Sequence, residues 1–300
     1  MSTSSVALPP DEPALLRERL DRLGLPGIVD VHTHFLPDRV MAKVWAYFDQ
    51  VGPLIGRPWP IAYRYPQEER VAALRALGVE RFTSLCYAHR PGMAAWLNEW
   101  CAGFAAEHPD CLHSATFHAE AGAASYVAEA IGAGARIFKV HVQVGAFDPN
   151  DPLLDPVWDL LEETRTPVVI HIGHGPAPGR HTGPESAAEL LRRHPALVLV
   201  VAHLGMPDYG AFLDLAKAHD GVHLDTTMAF TAFAEETAPF PADRRDDLVA
   251  LGDRILFGSD FPNIPYPWVD AVDAVIGLGL GDDWARGVLR ENARRLLGLG

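Results

Sequence analysis

Short apolar runs alternate along this chain with longer segments of helical spacing. Apolar or β-branched runs fall at 27–34, 81–87, 112–118, 136–142, 167–173, 197–203, 222–228 and 254–260, and each predicts a buried strand. Between them, near 67–77, 93–107, 123–133, 155–165, 184–194, 208–219, 243–251 and 283–297, apolar residues recur every three or four positions. That spacing predicts amphipathic helices. Eight strands alternating with eight helices is the count that a closed parallel (β/α)8 TIM barrel requires. An open doubly wound sheet would need a glycine-rich phosphate-binding turn after an early strand, and none is present. Residues 1–12 read as a flexible tail and 13–300 as a single barrel domain, with a short helix over 13–23 covering the barrel bottom.

One connection breaks the pattern. From Phe35 to Pro66 the chain takes about thirty residues to reach the first barrel helix, through Trp45, Tyr47, Phe48, Trp59, Tyr63 and Tyr65. This long aromatic-rich insertion after strand one is either a lid or binding loop, or a hydrophobic cluster packed on the rim.

Composition narrows the partners. A net charge of −14 opposes sequence-independent binding to nucleic acid and to an anionic membrane surface. The N-terminus has neither a basic start nor an apolar run, so no secretory signal is read. Cys86, Cys101 and Cys111 are few and odd in number, which fits free thiols in a reducing cytoplasm. Nothing in the chain compels a homo-oligomer, although an apolar rim would permit one. Of the 25 basic residues only Lys43, Lys139 and Lys217 are lysines, and Lys139 lies inside an apolar strand.

The chemistry is concentrated at strand ends. His32 and His34 close the first strand in Val-Asp-Val-His-Thr-His, and a period of two points both rings to one side. Paired imidazoles in that arrangement can chelate a divalent metal, whereas two rim histidines without a cation are awkward to satisfy. His171, His203 and Asp260 end the fifth, sixth and eighth strands. In a (β/α)8 barrel those ends meet at the catalytic face. Asp30 shares the parity of the two histidines one step deeper, a position for orienting a ligand.

The phrases Ile-Val-Asp-Val-His-Thr-His, Phe-Lys-Val-His, Val-Val-Ala-His-Leu-Gly and Ile-Leu-Phe-Gly-Ser-Asp-Phe-Pro resemble the amidohydrolase superfamily, and especially its amidohydrolase-2 branch. The resemblance runs from residue 27 onward. It implies that His32, His34, His171 and Asp260 bind a divalent metal, zinc first, with manganese or iron as alternatives. His203 would be a second-metal ligand or a polariser of substrate, and Asp260 a general base. Lys139 stands where two-metal members carry a carboxylated lysine, so one or two ions per chain remain open, one being favoured.

His89, Arg90, His118, Glu120, His141, His174, Trp59 and Trp268 are candidate substrate contacts, some of them rim hydrogen bonders instead. Phe147, Met206, Phe230, Phe233 and Tyr266, with Trp268, lie near strand ends and suggest a largely apolar pocket. The leading expectation is hydrolysis of an ester, lactone or amide-like bond in a bulky, apolar small-molecule substrate by a metal-activated water. Decarboxylation of an aromatic or unsaturated acid is the alternative, favoured if Arg57, Arg64 or Arg90 reaches the metal. A non-heme iron oxygenase on this scaffold, with Glu120, His118 and Lys139 as extra ligands, is the third.

Overall fold

The computed structural model describes residues 7–300 and places each predicted strand in a ring of parallel pairs. Strand β1 (Ile28–Asp30) pairs with β2 (Val79–Thr83), and β2 with β3 (Cys111–Leu112). After a break at His113, β4 (Ser114–Thr116) carries the same barrel strand on to β5 (Ile137–His141). Then follow β6 (Val168–His171), β7 (Leu199–Val201), β8 (Val222–Asp225) and β9 (Ile255–Leu256). Beyond β9, Val31 N donates to Phe257 O, Asp260 N to His32 O and His34 N to Phe261 O, at 3.0, 2.8 and 2.7 Å. These bonds join the last strand to the first at the end that carries the ligands.

The ladders are shorter than the apolar runs. The residues just past them leave regular pairing, and His203, Leu204 and Asp260 take positive φ values of 56°, 50° and 70°. Alternation sorts the side chains. Val29, Leu112, Ile137, Val169, Val200 and Leu256 share one core cluster, and Phe82, Phe138, Ile170, Leu199, Leu224 and Ile255 belong to the larger one. Hydrophobic burial on both faces explains the near-continuous apolar strands.

Each predicted barrel helix forms within a few residues of its expected bounds. The long C-terminal pattern is divided into Asp282–Arg286, a π-type turn Gly287–Glu291 and Asn292–Leu297. Two boundaries are corrected. The first helix is Glu12–Leu23, capped by the Asp11 side chain, so the expected tail runs one residue too far. Residues 1–6 lie outside the described residues. A ten-residue helix, Trp268–Gly277, follows Pro267 where the sequence reading had only a loop. The segment from Phe35 to Pro66 is partly helical, over Asp38–Phe48 and Gly52–Ile55. No helix of the described residues is long and apolar enough to cross a membrane.

Glu12 fastens the first helix to the rest of the barrel. Its buried carboxylate accepts from Tyr63 Oη at 2.8 Å and from Val269 N at 2.9 Å, and the Tyr63 oxygen accepts in turn from Trp268 N. Glu12→Ala leaves two buried donors without partners. The expected outcome is a loss of about 2 kcal/mol in stability, read as a lower denaturant midpoint. An unchanged midpoint would remove this role.

Candidate metal centre

The strand ends surround one cavity of about 1100 Å³, with His32, His34, Lys139, His141, His171, His203 and Asp260 in its lining. Ligating atoms of His32, His34 and Asp260 lie within 4.8 Å of one another. Local structure fixes how the imidazoles face. His32 Nδ1 lies 2.9 Å from Asp225 Oδ2, and His34 Nδ1 lies 2.8 Å from Leu85 O. A ring whose Nδ1–H is donated outward presents the Nε2 lone pair inward. His34 Nε2 is then 2.8 Å, and His32 Nε2 3.7 Å, from Asp260 Oδ1. An imidazole lone pair facing a carboxylate at that distance needs a cation between them, a proton or a metal ion. The donor set of two imidazoles and a carboxylate fits a divalent transition metal.

Asp225 is the residue that sequence reasoning missed. It is fully buried, and besides His32 it accepts from His203 N at 2.9 Å and Thr227 N at 3.1 Å through Oδ1. It therefore orients one ligand and pins the left-handed backbone of His203, a strained conformation that surrounding bonds must hold. Asp30 holds the main chain of the first and last strands one layer down. It accepts from His32 N, Ser259 N and Trp268 Nε1 at 3.1, 3.1 and 3.3 Å, and burial pushes its carboxyl up to about 7. Gly258 permits this packing, because a Cβ there would lie 2.2 Å from Thr227 Oγ1 and 2.7 Å from His32 Cβ.

Lys139 is fully buried, with Nζ 3.1 Å from His32 Nε2. Burial lowers its ammonium to about 8, with Asp225 and Asp260 opposing the shift. Burial also lowers His32, His141 and His171 well below the usual imidazole value, and His203 to about 4, which keeps these rings neutral. Burial works to raise the Asp260 carboxyl, but where a proton is the cation between them the hydrogen bond and charge of His34 outweigh it and hold the group below the usual carboxylate range.

His171 and His203 lie beside the close trio. Their rings are 4.7 Å apart, and the His203 ring is 5.3 Å from that of His32. His171 Nε2 is 2.8 Å from Gly175 O, which leaves the lone pair on Nδ1, and His141 stacks on it at 3.9 Å. His89, Arg90, His141, His174 and Trp59 line the same cavity. Three candidates do not. His118 Nε2 is 3.0 Å from Gly145 O, and Glu120 accepts from Gly92 N and Tyr126 Oη. Trp268 is a buried helix residue spent on Asp30. Of the other aromatic and methionine candidates, Met206 and Phe233 line the cavity, whereas Phe147, Phe230 and Tyr266 pack elsewhere.

The walls are apolar as expected, and Arg57, Arg90 and Lys139 of the sequence candidates reach the lining, joined by Arg39 and Lys43, which the sequence had not marked for the site. Arg39, Lys43, Arg57 and Arg90 line the mouth and Lys139 the floor, against Asp260 as the one acidic lining residue among the described residues. Arg39 and Lys43, four apart on the helix Asp38–Phe48, share a face. Arg57 is paired with Glu236 at 3.0 Å, and Arg64 is held by Asp49 outside the cavity.

A barrel with these convergent ligands at its C-terminal face defines a class of enzymes that hold a metal at the strand ends. The chain belongs to the amidohydrolase-2 family, whose model, described as amidohydrolase, matches residues 29–299. No curated protein matches it significantly in sequence. Among solved structures it is similar to a TIM-barrel protein from Bordetella bronchiseptica, at 20% identity and TM-score 0.71, over 91% of this chain and 98% of that one. It is also similar to 2,6-dihydroxybenzoate decarboxylase, at 19% identity and TM-score 0.68, over 92% and 100%. A probable 2-pyrone-4,6-dicarboxylic acid hydrolase from Acinetobacter baumannii matches at 14% identity and TM-score 0.60, over 91% and 100%. At these identities the likeness is one of fold. Family and fold together make the protein an enzyme of the amidohydrolase superfamily.

Replacing the orienting carboxylate tests the geometry around His32. Asp225→Asn is expected to weaken metal binding by about 10- to 100-fold, measured by competition with a chromophoric chelator. Native affinity in this variant would contradict the role given to Asp225.

Proposed function

We propose that the protein hydrolyses an ester, lactone or amide-like bond in a small organic acid. The observation that carries this reading is the charge of the cavity: among the described residues Arg39, Lys43, Arg90 and Lys139, with Arg57 already paired to Glu236, line it against one carboxylate, in a chain of net charge −14. A positive cleft with apolar walls concentrates anions. The earlier expectation of an apolar, bulky substrate is thereby narrowed to one with an apolar body and an acidic group.

Position separates the two ends of such a substrate. Arg39, Lys43 and Arg90 are exposed at the mouth, whereas His32 and His34 are buried at the floor. An acid group held at the mouth places a second polar group, the reacting one, at the floor. His32, His34 and Asp260, with His171 beside them, would hold the metal, which supplies Lewis acidity and an activated water when bound. Asp260, the one carboxylate lining the floor among the described residues, would be the acceptor for a proton there. The neutral His203 ring donates Nδ1–H to Thr227 O at 3.1 Å, so Nε2 presents a lone pair that accepts a hydrogen bond from substrate or water at the floor. Trp59, Phe48 and Phe233 pack together in the wall of the cavity.

Decarboxylation of an aromatic or unsaturated acid is the second reading. It draws on the same positive lining and on the likeness to a decarboxylase. There the carboxylate would sit at the floor, and the rim cations would bind a further acidic group.

A panel of carboxylated lactones and aryl esters, assayed beside their neutral amides, tests the proposal. The acids are expected to be hydrolysed, and Arg90→Ala or Lys43→Ala to raise KM about tenfold with kcat nearly unchanged, as for the loss of a charged contact of ~1.4 kcal/mol. Equal turnover of neutral and acidic forms would overturn it. Release of carbon dioxide without hydrolysis would replace it with the second reading.

A further inference from the structure

At the barrel end opposite the catalytic mouth, the helices Asp155–Thr164 and Pro184–Arg193 finish beside each other. Asp159 and Glu162 are three apart on the first helix, and His194 is the residue that ends the second. The His194 side chain is only 6% exposed, yet among the described residues its ring has no hydrogen bond. Its Nε2 is sealed from solvent without a partner. Its Nδ1 lies 3.3 Å from Asp159 Oδ1 and 3.8 Å from Glu162 Oε2. A buried imidazole left unsatisfied among carboxylates is costly unless something completes it.

A divalent ion between Nδ1 and the two carboxylates would satisfy that nitrogen and fix the proton on Nε2, which is turned away from them toward Asp155. One atom each from Asp159, Glu162 and His194 lies within 4.8 Å of the others. Ligand atoms around a tetrahedral ion with bonds of about 2.1 Å stand ~3.4 Å apart, close to the 3.3 and 3.8 Å that separate His194 Nδ1 from the two carboxylates. Glu162 Oε1 is occupied by Ala196 N, which leaves Oε2 for the ion. His194 Nε2 faces Asp155 Oδ1 at 3.9 Å, on the side where a ligating histidine usually meets a carboxylate. The C-terminal ends of both helices add negative potential.

We infer that Asp159, Glu162 and His194 form a peripheral site for zinc or a similar divalent transition metal, which clamps two neighbouring barrel helices. The site is separate from the catalytic centre and does not depend on the reaction proposed for it. One imidazole and two carboxylates favour such an ion over the all-oxygen shell of calcium or magnesium.

The test uses untagged protein whose catalytic site is already loaded, titrated calorimetrically with zinc chloride and then with cobalt chloride. The native chain is expected to take up one further equivalent. Its melting temperature should rise by a few degrees at about a hundredfold excess over Kd. Asp159→Asn with Glu162→Gln should weaken the added binding at least tenfold and leave turnover unchanged. His194→Asn should do the same, and the exposed Asp159 supplies the readout if that variant fails to fold. No added equivalent in the native chain, or equal uptake by native and double-variant protein, would overturn the site.

Discussion

Most of this molecule is arranged around one electrostatic constraint: imidazoles, an ammonium and two carboxylates are buried together where the strands end. Asp225 and Lys139 are fully buried, and His32 and His34 nearly so. Charge removed from water is tolerated only when it is paired and hydrogen-bonded. Asp225 answers that requirement at three points, through the His32 ring and the main-chain N–H groups of His203 and Thr227. The backbone follows the same demand. His203 and Asp260 are held at positive φ, and hydrogen bonds across the β9–β1 junction fix the second of them. Strain is thus confined to the site and supported by the apolar barrel beneath it.

The alternation of apolar runs and helical spacing made the barrel legible, because a parallel sheet buried on both faces has to be written that way. Histidines and an aspartate at the strand ends marked the catalytic face for the same reason. Asp225 escaped notice although its signal was present: a carboxylate inside the apolar run Val-His-Leu-Asp has to be paired. The helix Trp268–Gly277 was hidden behind the proline-rich Pro265-Tyr-Pro267, and its apolar spacing begins only after that turn. Treating Trp268 as a loop residue then made a buried donor to Asp30 look like a substrate contact. Glu120 and His118 have the parity to face inward, but Gly92 N and Tyr126 Oη hold the first and Gly145 O the second, which no periodicity records.

The positive mouth shows the limit of global charge as a guide. The chain as a whole is strongly acidic, yet its cavity gathers cations from the segment after β1 and the loop after β2. The helix Asp38–Phe48 turns Arg39, Lys43 and Tyr47 toward the cavity, so the aromatic-rich segment is both wall and charge carrier. Trp45 and Trp59 donate to the side-chain and main-chain oxygens of Asn263, three residues beyond Asp260. Mouth and floor are therefore tied to the same short stretch of chain.

The most direct test of this account is elemental analysis of protein purified without chelators, for the native chain and for His32→Ala and Asp260→Ala. The account predicts about one equivalent of a divalent transition metal at the catalytic centre, lost from both variants while they remain folded. A second strongly held equivalent that also depends on Lys139 would extend the centre to two ions. A native chain that takes up no metal even after reloading, or variants that keep the native content, would contradict the central claim.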